Sequence, residues 1–279
     1  MNIRSPAVAG AFYPFSKDAV TDQLRELFSY WGIDFDSLSK RKRVDCSGVV
    51  VPHAGWPYSG YVAAKVFADV PKLDTVILMG PNHLGMGPGF SVSSDDAWET
   101  PLGTVDVDTK LAQKIVDGSE AELDDIAHVR EHSIEVQIPF LQTVLDSFKI
   151  VPISIKHYAP DVRFLEACQA LGKDVAKALG KKRALLVAST DFTHYEPQEM
   201  ANTKDHKAMK KIEGLDEVGL FEVILEDMIS MCGYAGVAAT MVACKELGAK
   251  EAKKVAYMTS GNTTGDMSAV VGYGGLKIL

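Results

Sequence analysis

The runs Gly48–Val51, Thr75–Met79, Ile150–Ile155 and Ala184–Ala188 constrain the fold more than any other feature of this chain. Each is short, rich in Val, Ile or Leu, and apolar nearly throughout. A strand with one face in water alternates in polarity; a strand that is apolar throughout is covered on both faces. Two further runs, Lys254–Thr259 and Ala269–Tyr273, complete the strand set. Helical patterns lie between them: Ala19–Trp31, the stripe Ile134, Ile138, Leu141 and Leu145, then Phe164–Leu179, Asp216–Met228 and Val237–Leu247. Strands alternating with helices predict an α/β fold, a central and largely parallel sheet flanked by helices. No Ser- or Gly-rich linker and no internal repeat divides the chain, so residues 1–279 are expected to form a single domain.

Composition removes several function classes. A net charge of -8 argues against a nucleic-acid partner, which needs a basic face. The basic cluster Lys40–Arg43 reads as a solvated loop. No apolar run approaches the roughly 20 residues of a membrane helix, and the start MNIRSPAVAGAFYPF lacks a signal-peptide core. The four cysteines, Cys46, Cys168, Cys232 and Cys244, show no CxxC spacing. They read as reduced thiols in a cytoplasmic protein.

In open α/β sheets, ligands bind beyond the carboxyl ends of the strands. Three strand ends here carry a histidine: VVVPHAG with His53, TVILMGPNH with His83, and LLVASTDFTH with His194 preceded by Asp191. One strand-end histidine is usually a satisfied structural residue. Three at equivalent ends, out of seven histidines in the chain, point to a site on one rim of the sheet. Imidazole is both the commonest side-chain metal ligand and a proton carrier near neutral pH. Gly55, Gly60, Gly80 and Gly85 are expected to permit tight turns and close approach of backbone to ligand.

Two segments add candidates. VREHSIEVQIPFL places His132 and Glu135 about one turn apart, although Glu131, Ser133 and Glu135 would also serve a helix N-terminus. MCGYAGVAATMVACKEL sets Cys232 just ahead of a helix, where a thiol pKa can be depressed. The other three cysteines read as small buried hydrophobes. No nucleophile elbow, phosphate loop or HExxH motif is present. TSGNTTGDMSAVVGYG reads as a turn into the last strand.

Taken in order, RSPAVAGAFYP, PHAGWPYSG, GPNHLG, EHSIEVQIPFL, STDFTHY, MCGYAG and GNTTGD with VGYGG resemble the Memo family over nearly the whole chain. The resemblance implies a fold similar to that of the class III extradiol dioxygenases, non-haem iron enzymes that cleave catechol rings. It implies that His53 and His83 are metal ligands and that Cys232 stands where the dioxygenases present a glutamate. His194 matches their acid/base histidine, Asp191 a neighbouring pocket aspartate, and His132 a second pocket histidine. The implied cofactor is one mononuclear metal ion, copper or Fe(II), with zinc as a third candidate. A thiolate in place of the carboxylate is softer and shifts preference toward copper or zinc.

Two readings follow, with a third behind them. One is a metal-dependent oxidoreductase acting on a small phenolic substrate. Another is a binding protein that keeps the pocket to recognise an anionic or peptide ligand. The third is a zinc hydrolase. The resemblance also implies a radical-SAM partner, as beside prokaryotic relatives. Nothing in the sequence fixes the oligomeric state.

Overall fold

A computed structural model describes residues 1–279. The strands Gly48–Val51, Leu185–Ser189, Thr75–Asn82 and Lys149–Lys156 lie side by side in that order, all parallel. Their side chains are buried on both faces, as their unbroken apolar character requires. Val49 and Val51 point into one core and Val50 into the other, which is the two-residue period of a strand. On the Val49 side pack the helices Lys17–Ser29, Trp56–Phe67 and Ile138–Val144. Val162–Leu179, Glu217–Glu226 and Tyr234–Glu246 cover the Val50 side.

Outside these four strands the sheet is parallel only where Phe90–Val92 meets the short strand Glu122–Leu123. Val270–Ile278 runs antiparallel to Gly48–Val51 and pairs antiparallel with both Ala252–Thr259 and His194–Glu196. Phe90–Val92 runs antiparallel to Lys149–Lys156 at the other side. The expected largely parallel sheet is therefore a mixed one. Antiparallel neighbours need no crossover helix between them, and the direction in which a strand runs leaves no mark in its apolar pattern. A separate three-stranded sheet joins Ile3–Arg4, Ala97–Thr100 and Gly103–Asp106.

Helices Trp56–Phe67 and Gln198–Glu213 fall outside the segments read as helical. In the first, glycines suggested turns, but Gly60 lies inside the helix, where a Cβ would meet Leu27 at 2.8 Å. Gly80 lies within its strand against Ser133. Both are packing glycines, whereas Gly85 does occupy a left-handed turn with φ 64°. The basic cluster is only half solvated: Arg43 turns inward and donates to the carbonyls of Leu38 and Val144. No helix is long and apolar enough to cross a membrane.

Register places the site. Val51 lies opposite Ser189, Met79 opposite Ala188, and Asn82 opposite Lys156. The chain therefore emerges at Pro52–His53, Thr190–Asp191, His83 and His157 along one edge of the sheet.

Candidate metal centre

His53 leaves its strand buried, 1% exposed. Its backbone N–H donates to Asp191 Oδ1 at 2.8 Å, and Ala54 N–H donates to the same oxygen at 3.3 Å. The ring is held at Nδ1 by Ser189 Oγ, 2.9 Å away. Ser189 gives its only proton to the Ser133 carbonyl at 2.6 Å and accepts from Gln137 Nε2 at 3.0 Å. Gln137 Nε2 also donates to the Pro52 carbonyl, which can only accept. Ser189 therefore has only a lone pair left for His53, so Nδ1 carries the proton. The Nε2 lone pair then faces Cys232 Sγ at 3.2 Å.

The same logic fixes His83. Glu131 accepts from its backbone N–H at 2.7 Å and from Nδ1 at 2.9 Å. The carboxylate also accepts from the N–H groups of His132 and Ser133, each at 2.9 Å. Burial opposes the charge on Glu131, but the hydrogen bond from His83, with help from His132 and Ser133, holds its pKa at about 2. His83 Nε2 is left uncommitted. Two imidazoles thus have their outer nitrogens tied and their inner nitrogens free, the arrangement that orients metal-ligating histidines.

Cys232 reaches this point because Gly233 follows it. A Cβ on Gly233 would lie 2.3 Å from the Ser189 carbonyl, so only glycine lets the start of helix Tyr234–Glu246 press against the strand end. One donor atom each from His53, His83 and Cys232 lies within 4.8 Å of the others. The thiol pKa is not depressed, contrary to the expectation for a helix N-terminus. Burial pushes it well above the usual value, and the Asp191 carboxylate adds to the rise. Burial likewise pushes His53 far down. Cys232 and His53 are thus a neutral thiol–imidazole pair, unlike the charge-separated pair of a cysteine nucleophile. A second group of donors, His83, Glu131 and His132, is equally close. There the Glu131 oxygens already accept four N–H groups, so that carboxylate positions its neighbours.

His132 stacks on His83 with ring centroids 4.5 Å apart and meets Phe12 at a tilt, also at 4.5 Å. Burial lowers its pKa to about 4 despite the Glu131 carboxylate, which keeps the ring neutral. His194 opens the strand His194–Glu196. Its N–H donates to Ser230 Oγ at 2.8 Å and its Nδ1 to the Ser230 carbonyl at 2.9 Å, leaving Nε2 free. Ser230 orients this ring; Asp191 is spent on the backbone of His53 and Ala54, and burial raises its pKa.

A cavity of about 650 Å³ opens beside the cluster. His83, His194, Cys232 and His157 form its polar side, and Ile224, Leu225, Met228, Ile229 and Met231 form an apolar wall. His157 is a pocket residue that the sequence reading passed over. It lies just past the end of the strand Lys149–Lys156, edge-on to Tyr234 at 5.5 Å. The rule applied to three strand ends applies equally to this fourth. Ser189, Gln137 and Ser230 were also missed, because hydrogen-bond partners carry no spacing signature.

Comparison with known proteins agrees with this architecture. A family model described as Memo-like protein matches residues 4–277. A MEMO1 family protein of Methanosarcina barkeri is 42% identical over 99% of this chain and 100% of its own length. Another, from Methanothermobacter thermautotrophicus, is 41% identical over 99% of this chain and all of its own. Among solved structures, an uncharacterized protein of Escherichia coli K12 superposes with a TM-score of 0.53. It covers 84% of this chain and all of its own at 14% identity, a likeness of fold alone. The α/β fold, a central sheet flanked by helices, stands as expected, and the chain belongs to the Memo family.

Proposed function

We propose that this Memo-family protein is a metal-binding redox protein acting on a small phenolic molecule. His53 Nε2, His83 Nε2 and Cys232 Sγ would hold one copper or iron ion. One observation carries the reading: both imidazoles are locked in the tautomer that turns a lone pair toward the thiol, by Ser189 on one side and Glu131 on the other. The donor set fits a soft or borderline ion, with copper favoured by the thiolate and zinc also accommodated. When bound, copper or iron would supply one-electron chemistry beside the cavity. The remaining residues have roles of their own. His194 Nε2 faces the cavity and can exchange a proton with a ligand hydroxyl. Asp191 holds the His53 backbone in place, and His132 packs His83 against its carboxylate.

The test is the metal content of untagged protein, measured beside His53→Ala and Cys232→Ser. Near one equivalent of copper or iron, lost in both variants, is the expected result. A wild-type chain that takes up neither Fe(II) nor Cu(I) under anaerobic loading would overturn the reading in favour of a metal-free binding protein. Zinc as isolated, with no reaction toward oxygen, would point to the hydrolase.

A further inference from the structure

Four parallel strands end at the ligand edge, and three of them lead into His53, Asp191 and His83. The fourth leads into His157. Asn82 lies opposite Lys156, so the next step along each chain sets His157 beside His83, on neighbouring strands about 4.8 Å apart. Strand alternation agrees. Met79 on one strand and Ile155 on the other face the core that helix Tyr234–Glu246 covers. Residues an even number of steps on share that face. His83 and His157 therefore turn to the same side of the sheet, and both line the cavity of about 650 Å³.

The polar side chains of this wall differ in what holds them. His83 is tied by Glu131, Cys232 faces His53, and His194 is tied by Ser230. The Asn82 amide donates to the Met86 carbonyl, and the Tyr234 hydroxyl to the Tyr158 carbonyl. His157 spends neither ring nitrogen on the protein. Packing orients it instead. The ring stands edge-on to Tyr234 at 5.5 Å, and Tyr234, 1% exposed, is wedged between Phe164 and Phe221. The ring thus has a rigid seat with both nitrogens open. They do not serve the ion, since His157 belongs to neither group of close donors.

The geometry points to His157 as a ligand contact, hydrogen-bonding a second polar group on a molecule whose first, a phenolic oxygen, meets His194 Nε2. The ligand is accordingly a phenol that carries a second hydrogen-bonding group on an apolar tether. The tether would run along Ile224, Ile229 and Met231, which line the same cavity. A few placed polar groups on an apolar wall are what fix a small molecule's orientation. This deepens the function proposed above and rests on that cavity being the ligand site.

Matched pairs test it: 4-methyl-, 4-ethyl- and 4-propylphenol, each against the same phenol with a hydroxyl at the end of its chain. Without a partner the added hydroxyl would weaken binding in an apolar pocket. Calorimetric titration of the full chain, as purified and after removal of metal by chelation, should instead show at least one hydroxylated member binding about three- to tenfold tighter than its alkyl partner. His157→Phe keeps a ring against Tyr234 and removes both nitrogens. It should erase that preference by weakening the hydroxylated member, with the alkyl phenols within about twofold of their parent affinity. No preference in any of the three pairs, or no binding of any probe up to millimolar concentration, overturns the inference. So does a preference that survives His157→Phe, or one that vanishes only because the alkyl phenols bind tighter. Failure of the metal reading would appear instead as a metal-free wild type, with the preference of the stripped chain intact.

Discussion

Glu131 and Glu135 lie four residues apart on one segment, and both are buried. Glu135 accepts from Arg4 Nη1 at 2.8 Å, from the N–H groups of Ala7 and Val8, and from the Tyr13 hydroxyl. Arg4 spends its other donors on the carbonyls of His128 and Glu131 and lays its guanidinium over Trp98 at 4.1 Å. The Glu135 carboxylate is thus filled by donors of the chain itself. Glu131 accepts as many hydrogen bonds, yet the ring it holds keeps one nitrogen open toward Cys232. A network closed on all sides fastens the N-terminal segment to the body. A network closed on one side only presents a donor to whatever arrives. The difference between a structural and a chemical cluster lies in that one open valence, since burial and charge are alike in both.

The comparison breaks most directly at Glu135. Glu135→Ala leaves the Arg4 charge buried without a partner and strips acceptors from two backbone N–H groups. A loss of about 3–5 kcal/mol is expected, seen as a fall in thermal midpoint of roughly 10 °C. The folded fraction should bind metal as the parent does. If Glu135→Ala instead empties the metal site, the two clusters are one network and the contrast fails.

How far each cluster could be seen in the sequence follows from its physics. The four central strands were legible because burial on both faces forces an unbroken apolar run, and a histidine past such a run marks the ligand edge. His53, His83 and His194 emerged that way. The same residues in TVILMGPNH that mark His83 say nothing of Glu131, which belongs to it only through a turn 48 residues away. Arg4 and Glu135 pair across 131 residues and left no trace. Glu135 was read as a site candidate one turn from His132, or as an acidic group near a helix start, and it turns out to be spent on the N-terminal segment. The helix Trp56–Phe67 was hidden because its glycine serves packing, which reads like a turn. Cys232 was placed at the site, but its thiol pKa follows burial and the Asp191 carboxylate, and neighbours in space are not neighbours in sequence.

His128, beside the Arg4 cluster, sharpens the contrast because its one open nitrogen faces no second donor. Its Nε2–H donates to the Ser91 carbonyl at 3.1 Å, while Nδ1 is buried with no partner. Burial, then the Arg4 guanidinium, lowers its pKa to about 4, against the smaller pull of Asp124 and Glu131. The unfolded chain binds a proton here near pH 6.5 and the folded chain only near 4, so stability is complete above the first value and falls as pH drops toward the second. The loss reaches at most about 3 kcal/mol from this residue. His128→Gln should flatten the stability–pH curve in that window. Glu131, held at about 2, acts below the ordinary carboxylate range, so the two windows separate. A wild-type curve already flat between pH 6.5 and 4 would sink the assignment.

The smallest effect belongs to the open side and is the most telling. Glu131→Gln keeps the shape of the side chain and removes its charge. A carboxylate offers oxygen to both sides; an amide offers it to one. Either the His83 backbone N–H, or the group of His83 Nδ1–H with the N–H of His132 and Ser133, then faces an NH2 donor. The ring loses its fixed orientation while the core beneath is untouched. Affinity for Cu(I), measured against a chromophoric chelator, should fall about 10- to 100-fold, or about 1.4–2.7 kcal/mol. The midpoint should drop less than in Glu135→Ala. The Nδ1–H signal of His83 in nitrogen-15 spectra of the metal-free chain, protected from exchange in the parent, should vanish. Unchanged Cu(I) affinity with that signal lost would mean the metal sets the ring by itself, and the open valence of His83 would owe nothing to Glu131.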